Sequence, residues 1–298
     1  MRDETRQGSR RVRGQQGDGA AAKAARLLAY LQHLRDHKHV RYLPLRPEPR
    51  ARASPSCQNP PQSAGPPTRG DTRRPQQVSP LRSEAAAWPP ARKLQYLQTK
   101  SVGDCQRCPL GGARRNIVFG AGSPTASLMF VGEAPGLEED EQGEPFVGAA
   151  GRRLTRWITA LGLKREDVYI ANVLKCRPPG NRDPSSLEVT RCSPFLRAQI
   201  RVIQPKVLVG LGRFAGCLLL GREQRLYEMR AKVHEYVELP AALHVPLIIT
   251  YHPSYVLRRE SEVGGAAQDS RADQPSPDQA VLSDLHRAVS LLGADARV

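Results

Sequence analysis

Four short segments dominated by Val, Ile and Leu most constrain how this chain can fold. They cover residues 127–131, 168–174, 207–211 and 246–250. Near-continuous apolar runs of this length are typical of strands buried on both faces of a parallel sheet. Apolar residues at helical spacing occupy the segments between them, at residues 149–161, 185–203 and 213–220. The alternation therefore predicts a three-layer α/β/α domain with a central four-stranded parallel sheet.

The N-terminal third of the chain has a different composition. Residues 44–90 contain many Pro, Ser, Arg and Gln but few large apolar side chains, which is typical of a linker. We therefore expect residues 1–90 to form a largely disordered basic extension with one helix near residues 20–34. The folded domain is expected over residues 91–298. It should carry a flexible loop near residues 261–279, where Gly, Asp, Ser and Pro recur.

The balance of charge suggests a polyanionic partner. The chain of 298 residues has a formal net charge of +16, and clustered Lys and Arg favour binding to nucleic acid through counterion release. Residues 1–90 contribute +10 of this charge, so the extension either contacts nucleic acid or is simply a solvated tail. No apolar run approaches the roughly 20 residues that span a bilayer, and no secretory signal is evident. We expect no membrane partner and a cytoplasmic location.

The cysteines indicate a metal site. Six cysteines in a chain expected in the cytoplasm favour metal binding or reactivity over disulfides. Cys105 and Cys108 form a CxxC pair, and Cys176 with Cys192 forms a wider one. A thioredoxin-like redox motif normally follows a strand, whereas Cys105 precedes the first predicted strand. Four thiolates suit either zinc or a 4Fe-4S cluster, and the spacing does not decide between them.

Polar segments follow three of the four predicted strands. Residues 132–136 (GEAPG) come after the first strand, Asn172 lies at the end of the second, and His252 follows the fourth. Glu139 and Asp140 lie just beyond the glycine-rich segment. Ligands bind at the carboxyl ends of the strands in open α/β sheets. We therefore expect these residues, far apart in sequence, to meet at one edge of the sheet.

Each candidate residue also has an ordinary structural interpretation. Residues 132–136 are either a tight turn before a solvated acidic helix or a loop that lets backbone approach a ligand. Phe146 is by default a core residue, but its position between Pro145 and Gly148 would also let it stack on a flat ring. Asn172 suits turn capping or recognition of a base edge. His252 suits a structural or a hydrogen-bonding role.

Taken together, these motifs resemble the family 4 uracil-DNA glycosylases, the iron-sulfur branch of that superfamily. The resemblance covers about residues 104–292. It is carried by five stretches in the same order: CQRCPL at 105–110, GEAPGLEED at 132–140, GEPFVGAAG at 143–151, NVLKCRPPGNR at 172–182 and YHPSY at 251–255. It implies a DNA repair enzyme that flips uracil out of single- or double-stranded DNA and hydrolyses its N-glycosidic bond. Residues 91–298 would then be the catalytic domain.

The resemblance also implies roles for individual residues. A structural 4Fe-4S cluster would be held by Cys105, Cys108, Cys176 and Cys192. The uracil pocket carries over to Gly132, Glu133, Ala134, Phe146 as the stacking ring, Asn172 as the base-edge reader and His252. His252 would stabilise the oxyanion on the departing uracil. A carboxylate would orient water or stabilise the sugar cation, with Glu139, Glu133 and Asp140 as candidates in that order.

The outer parts of the site are less constrained. Arg258 and Arg259 would contact DNA phosphates near the flipped nucleotide, or else form ordinary solvated surface. The enzyme is expected to act as a monomer on DNA of the nucleoid. Two other interpretations remain: a relative with shifted base specificity, and a non-catalytic DNA-binding iron-sulfur protein.

Overall fold

A computed structural model describes residues 87–238, 242–263 and 275–294. All of them belong to one compact unit that spans residues 70–298. Residues 1–86 lie outside the described residues, and with them nearly all of the expected basic extension and the helix predicted near residues 20–34. None of the helices in the described ranges combines the length and apolar character needed to cross a membrane.

Strands and helices alternate along the described chain. The strands are β1 (Ala121–Gly122), β2 (Leu128–Gly132), β3 (Tyr169–Asn172), β4 (Val207–Leu211), β5 (Val233–Glu238) and β6 (Leu243–Thr250). The helices are α1 (Pro90–Tyr96), α2 (Leu137–Gln142), α3 (Ala149–Ala160), α4 (Ser186–Ile203), α5 (Gly212–Leu220), α6 (Leu226–Met229), α7 (Pro253–Val263) and α8 (Pro277–Ala294). A π-helical turn covers Leu97–Val102, and 3₁₀ turns cover Pro109–Gly112, Arg165–Asp167 and Pro179–Asn181.

The six strands form one sheet in the order β1-β3-β2-β4-β6-β5. The four central strands are parallel, with Gly132 beside Asn172 and Leu211 beside Thr250 at their carboxyl ends. Strands β1 and β5 pair antiparallel at the two edges. The parallel arrangement brings the ends of β2, β3, β4 and β6 to one edge of the sheet, which is where ligands bind in such folds.

Helices cover both faces of this sheet. On one face, Met129 and Leu208 pack with residues of α4 and α5 such as Leu196 and Ala215. On the other face, the sheet packs against α3, α7 and α8 through, among others, Trp157, Val256 and Leu285. Every residue of β2, β3 and β4 is buried, because both faces of these strands are covered. The structure thus confirms the predicted three-layer α/β/α architecture and its four parallel strands.

The structure differs from the prediction at the margins. The two antiparallel edge strands were not predicted, because β1 has only two residues and β5 is partly exposed rather than an apolar run. Helical residues also occupy both ends of the loop expected at residues 261–279. Helix α8 begins at Pro277 because Ser276 and Gln279 cap it reciprocally. The backbone N–H of Ser276 donates to Gln279 Oε1 at 2.9 Å, and the backbone N–H of Gln279 donates to Ser276 Oγ at 3.2 Å. Residues 264–274 lie outside the described residues.

A buried polar contact attaches the last helix to the sheet. Asp284 of α8 accepts hydrogen bonds from Thr250 Oγ1 at 2.7 Å and from Arg230 Nε at 2.9 Å. The Arg230 guanidinium also lies 4.0 Å above the ring of Tyr251. Because Thr250 and Tyr251 immediately precede His252, this cluster fixes the end of β6 from which the histidine projects.

Candidate active site

A cavity of about 550 Å³ opens at the carboxyl ends of the central strands. Residues from segments far apart in sequence line it: Glu133, Ala134, Glu139, Phe146, Asn172, His252 and Arg258. The glycine-rich loop after β2, the end of β3 and the segment after β6 therefore meet as the sequence predicts.

Gly132 does not itself line the cavity, but it packs tightly against two residues that do. A Cβ at this position would lie 2.4 Å from Asn172 Oδ1 and 2.5 Å from Phe146 Cζ, so only glycine fits without displacing them. Asn172 is buried, and its Oδ1 has no hydrogen-bond partner among the described residues. A buried acceptor left unpaired is unfavourable by about 1–3 kcal/mol. The amide of Asn172 is therefore poised to bind a ligand that donates a hydrogen bond.

Phe146 is held in an unusual backbone conformation. Its φ of 53° lies in the left-handed region, which a bulky residue rarely adopts. A Cβ on Gly151 would lie 1.8 Å from the Phe146 carbonyl oxygen, so this glycine is needed to accommodate the turn. The Phe146 ring lies 5.7 Å from the ring of His252, centroid to centroid, at an interplanar angle of 38°. Backbone strain of this kind is typical of functional loops.

Two of the three candidate carboxylates are committed to backbone hydrogen bonds. Glu139 accepts from the backbone N–H groups of Val147 at 2.9 Å, Gly148 at 3.0 Å and Gly136 at 3.1 Å. It thus joins the glycine-rich loop to the loop that carries Phe146. Asp140 accepts from the backbone N–H of Arg115 at 3.0 Å, and it does not line the cavity. Both side chains therefore hold neighbouring loops in place through backbone hydrogen bonds.

Glu133 is in a different position. It lines the cavity, and no hydrogen bond or ion pair among the described residues involves its carboxylate. Burial raises its pKa above the ordinary value, and the nearby charge of Asp183 raises it further. Of the three candidates, Glu133 is therefore the carboxylate available to a substrate or a water molecule.

The hydrogen bonds of His252 fix its tautomer. The Nδ1 atom accepts from the backbone N–H of Ser254 at 3.2 Å and lies 2.8 Å from Ser254 Oγ. Because a backbone N–H only donates, Nδ1 is unprotonated and the neutral ring carries its proton on Nε2. Burial, together with the positive charge of Arg258, lowers the pKa of His252 to about 4. The histidine is therefore a neutral hydrogen-bond donor near pH 7.

The two predicted phosphate-contacting arginines are not equivalent. Arg258 lines the cavity, and its Nη1 lies 3.4 Å from Ser254 Oγ, on the same hydroxyl that contacts His252. Arg259 pairs instead with Glu262 at 2.8 Å and does not line the cavity. Only Arg258 is thus brought together with the other candidate residues.

The four predicted metal-binding cysteines line a second, small pocket. It is lined by Cys105, Cys108, Cys176 and Cys192, three basic residues and three apolar ones. Within the described ranges, no three His, Cys, Asp or Glu side chains stand close enough to ligate a single metal ion. The thiols are therefore gathered around one space without the tight spacing of a single-ion site. Burial raises the pKa of the Cys176 thiol to about 12 and also raises that of Cys192.

Two basic residues beside the thiol pocket were missed by the sequence analysis. Arg114 donates to the Cys105 carbonyl at 2.8 Å and lies 3.8 Å from Cys176 Sγ. Lys175 is almost completely buried, and its backbone N–H donates to Cys192 Sγ at 3.2 Å. Burial lowers the pKa of Lys175 to about 8. The sequence signal that could have pointed to Lys175 was its position between two candidate site residues, Asn172 and Cys176.

Comparisons with known proteins agree with the geometry. The family model of the Uracil DNA glycosylase superfamily matches residues 119–285. The chain is 44% identical over 164 residues to a type-4 uracil-DNA glycosylase of Archaeoglobus fulgidus, an alignment that covers 54% of this chain and 81% of that protein. Identity to the type-4 enzyme of Thermotoga maritima is 42% over 170 residues, covering 57% and 86% of the two chains. Since the family model spans more than half of its length, the chain belongs to the uracil-DNA glycosylase superfamily.

Proposed function

We propose that this protein is a DNA repair glycosylase that accepts a flipped uracil in the cavity and hydrolyses its N-glycosidic bond, leaving an abasic site. The observation that carries the proposal is the Oδ1 of Asn172, which lies buried beside Gly132 and the ring of Phe146 and has no hydrogen-bond partner in the described ranges. An orphaned acceptor at the bottom of a substrate-sized cavity needs a donor from the ligand.

Uracil supplies the complementary pattern. Its N3–H donates to Asn172 Oδ1, while its O4 accepts from the side-chain amide, and Phe146 stacks on the ring to offset part of the unstacking energy. Cytosine has an amino group at position 4 and an unprotonated N3, so it reverses both hydrogen bonds. Buried groups left unpaired reject the wrong base strongly. The same pair of bonds therefore gives both binding and base specificity.

Cleavage of the glycosidic bond leaves negative charge on uracil O2 and positive charge on the sugar. His252 donates from Nε2 to O2, because its Nδ1 is occupied by Ser254 and its low pKa keeps the ring neutral. A neutral donor stabilises the oxyanion without transferring its proton. Burial keeps the histidine neutral, and the positive charge of Arg258 adds to this effect. Arg258 lies beside the histidine at the cavity wall, where it would contact a DNA phosphate.

Glu133 orients the attacking water or stabilises the sugar cation. Its carboxylate is not engaged by the described residues, and its raised pKa suits a group that accepts a proton. Glu139 and Asp140 are tied to the backbone and serve the same reaction by holding the loops.

The four cysteines fit a 4Fe-4S cluster. All the potential metal ligands that line their pocket are thiols, which favours zinc or iron-sulfur chemistry over harder cations. The cluster would brace the segments around Cys105 and Cys176 beside the DNA and take no part in bond cleavage.

The wider assignments belong to the same proposal. Residues 91–298 form the catalytic domain, and the protein works as a monomer on uracil-containing DNA, single- or double-stranded, in the cytoplasm. The decisive experiment is incubation of the purified protein with a labelled oligonucleotide containing one uracil, followed by alkali. Strand cleavage at uracil, absent with thymine and hypoxanthine controls, is the expected result. Absence of an abasic site at uracil would refute the proposal, and cleavage at hypoxanthine would indicate shifted specificity.

A further inference from the structure

Lys175 is the feature of the core that packing does not explain. Its side chain is 1% exposed, and none of the ion pairs among the described residues includes it. An apolar side chain of similar volume would fill the same space without the desolvation penalty of a buried amine. What Lys175 contacts must therefore account for its place in the core.

The two hydrogen bonds of its amine join different parts of the molecule. The Nζ atom donates to the main-chain carbonyl of Asn172 at 2.8 Å and to Gln199 Oε1 at 2.6 Å. The third side of the amine faces the ring of Phe119, at 6.0 Å from the ring centroid. Asn172 is the last residue of β3, so its carbonyl lies where the regular sheet ends.

Gln199 is itself fixed. Its Nε2 donates to the Phe119 carbonyl at 2.9 Å and lies 3.2 Å from Tyr169 Oη. With both amide hydrogens directed at these oxygens, Oε1 is left to face Lys175. Gln199 lies in α4, so the network anchors the amine of Lys175 to a helix packed on the sheet.

We propose that Lys175 is a positioning residue for Asn172, holding its backbone so that the side-chain amide meets uracil in the pocket. This inference rests on the proposed function. Lys175 does not line the cavity, and its amine acts on Asn172 through the main-chain carbonyl of that residue. This role is needed because, within the part of the chain that the structure describes, no hydrogen-bond partner at Asn172 Oδ1 orients the amide before the substrate arrives.

The test is a double-mutant cycle on single-turnover uracil excision with the full-length protein. The variants are Lys175→Met, Asn172→Ala and the double variant. Lys175→Met should slow excision about tenfold when Asn172 is present and less than about twofold when it is absent, because coupled residues are not additive. Lys206→Met, a change at an exposed lysine away from the cavity, is the matched control and should leave the rate unchanged.

Each outcome decides the question. Equal fold-losses in both backgrounds would show that Lys175 acts on the whole fold and would overturn the inference. If Lys175→Met does not fold, Gln199→Met replaces it in the cycle, because it leaves the lysine but removes the acceptor that holds it. Failure of both variants to fold would make Lys175 a structural residue and also overturn the inference. Wild-type protein without activity would instead refute the proposed function.

Discussion

Replacing Glu139 with Gln should separate loop stability from catalysis. The carboxylate of Glu139 accepts from three backbone N–H groups, at 2.9, 3.0 and 3.1 Å. In Glu139→Gln, two of these bonds change from charge-assisted to neutral, and an amide NH₂ is turned toward the third N–H. Losing about 1 kcal/mol at each of the two bonds and leaving one donor unpaired destabilises the protein by roughly 3–4 kcal/mol.

Thermal unfolding measures this effect directly. For a domain of this size, 1 kcal/mol corresponds to about 2–4 °C, so the midpoint should fall by roughly 10 °C. Glu133→Gln is the matched variant, because the Glu133 carboxylate has no hydrogen bond to lose among the described residues. It should keep the wild-type midpoint within about 2 °C while excision slows by about 100-fold, as for loss of a general base. A Glu139→Gln protein with a wild-type midpoint and strongly reduced turnover would refute this division of roles.

Three further outcomes follow from the site. Gly132→Ala should reduce excision by at least about tenfold with retained fold, since its methyl group would displace Asn172 and Phe146; an unchanged rate in the oligonucleotide assay would contradict this. Because the folded pKa of His252, about 4, lies below its unfolded value of about 6.5, its contribution to stability is complete above pH 6.5 and declines as the pH falls toward 4. Urea midpoints measured from pH 7 to 4 should fall less in His252→Gln than in the wild type. Purified protein should be brown, and Cys176→Ala should lose iron and visible absorbance, whereas a colourless protein with stoichiometric zinc would reverse the choice of metal.

The central fold was predictable because each parallel strand is a continuous apolar run. Strands β2, β3 and β4 are buried along their whole length, so their sequences carry the signal of two covered faces. Strand β5 carries no such signal, since Val233 and Val237 are exposed at the edge of the sheet. Its pairing with β6 depends on tertiary contacts that a local pattern does not record.

The meeting of Asn172, His252 and the glycine-rich loop was also predictable. Parallel strands bring their carboxyl ends to one edge, so polar residues at those ends must converge. The different roles of Glu133 and Glu139 were not predictable, because the two residues lie only six positions apart and only the backbone path shows which carboxylate is occupied. The contact between Lys175 and Gln199 was not predictable for a similar reason. The two residues lie on separate elements, and no helical or strand periodicity relates their positions in the sequence.

The attachment of α8 has a consequence for synthesis of the protein. Asp284 accepts hydrogen bonds from Thr250 and Arg230, and it belongs to a helix that follows all six strands in the chain. The end of β6 that carries His252 therefore lacks its polar partner until α8 has left the ribosome. A nascent chain that has exposed the entire sheet therefore still lacks this contact beside His252.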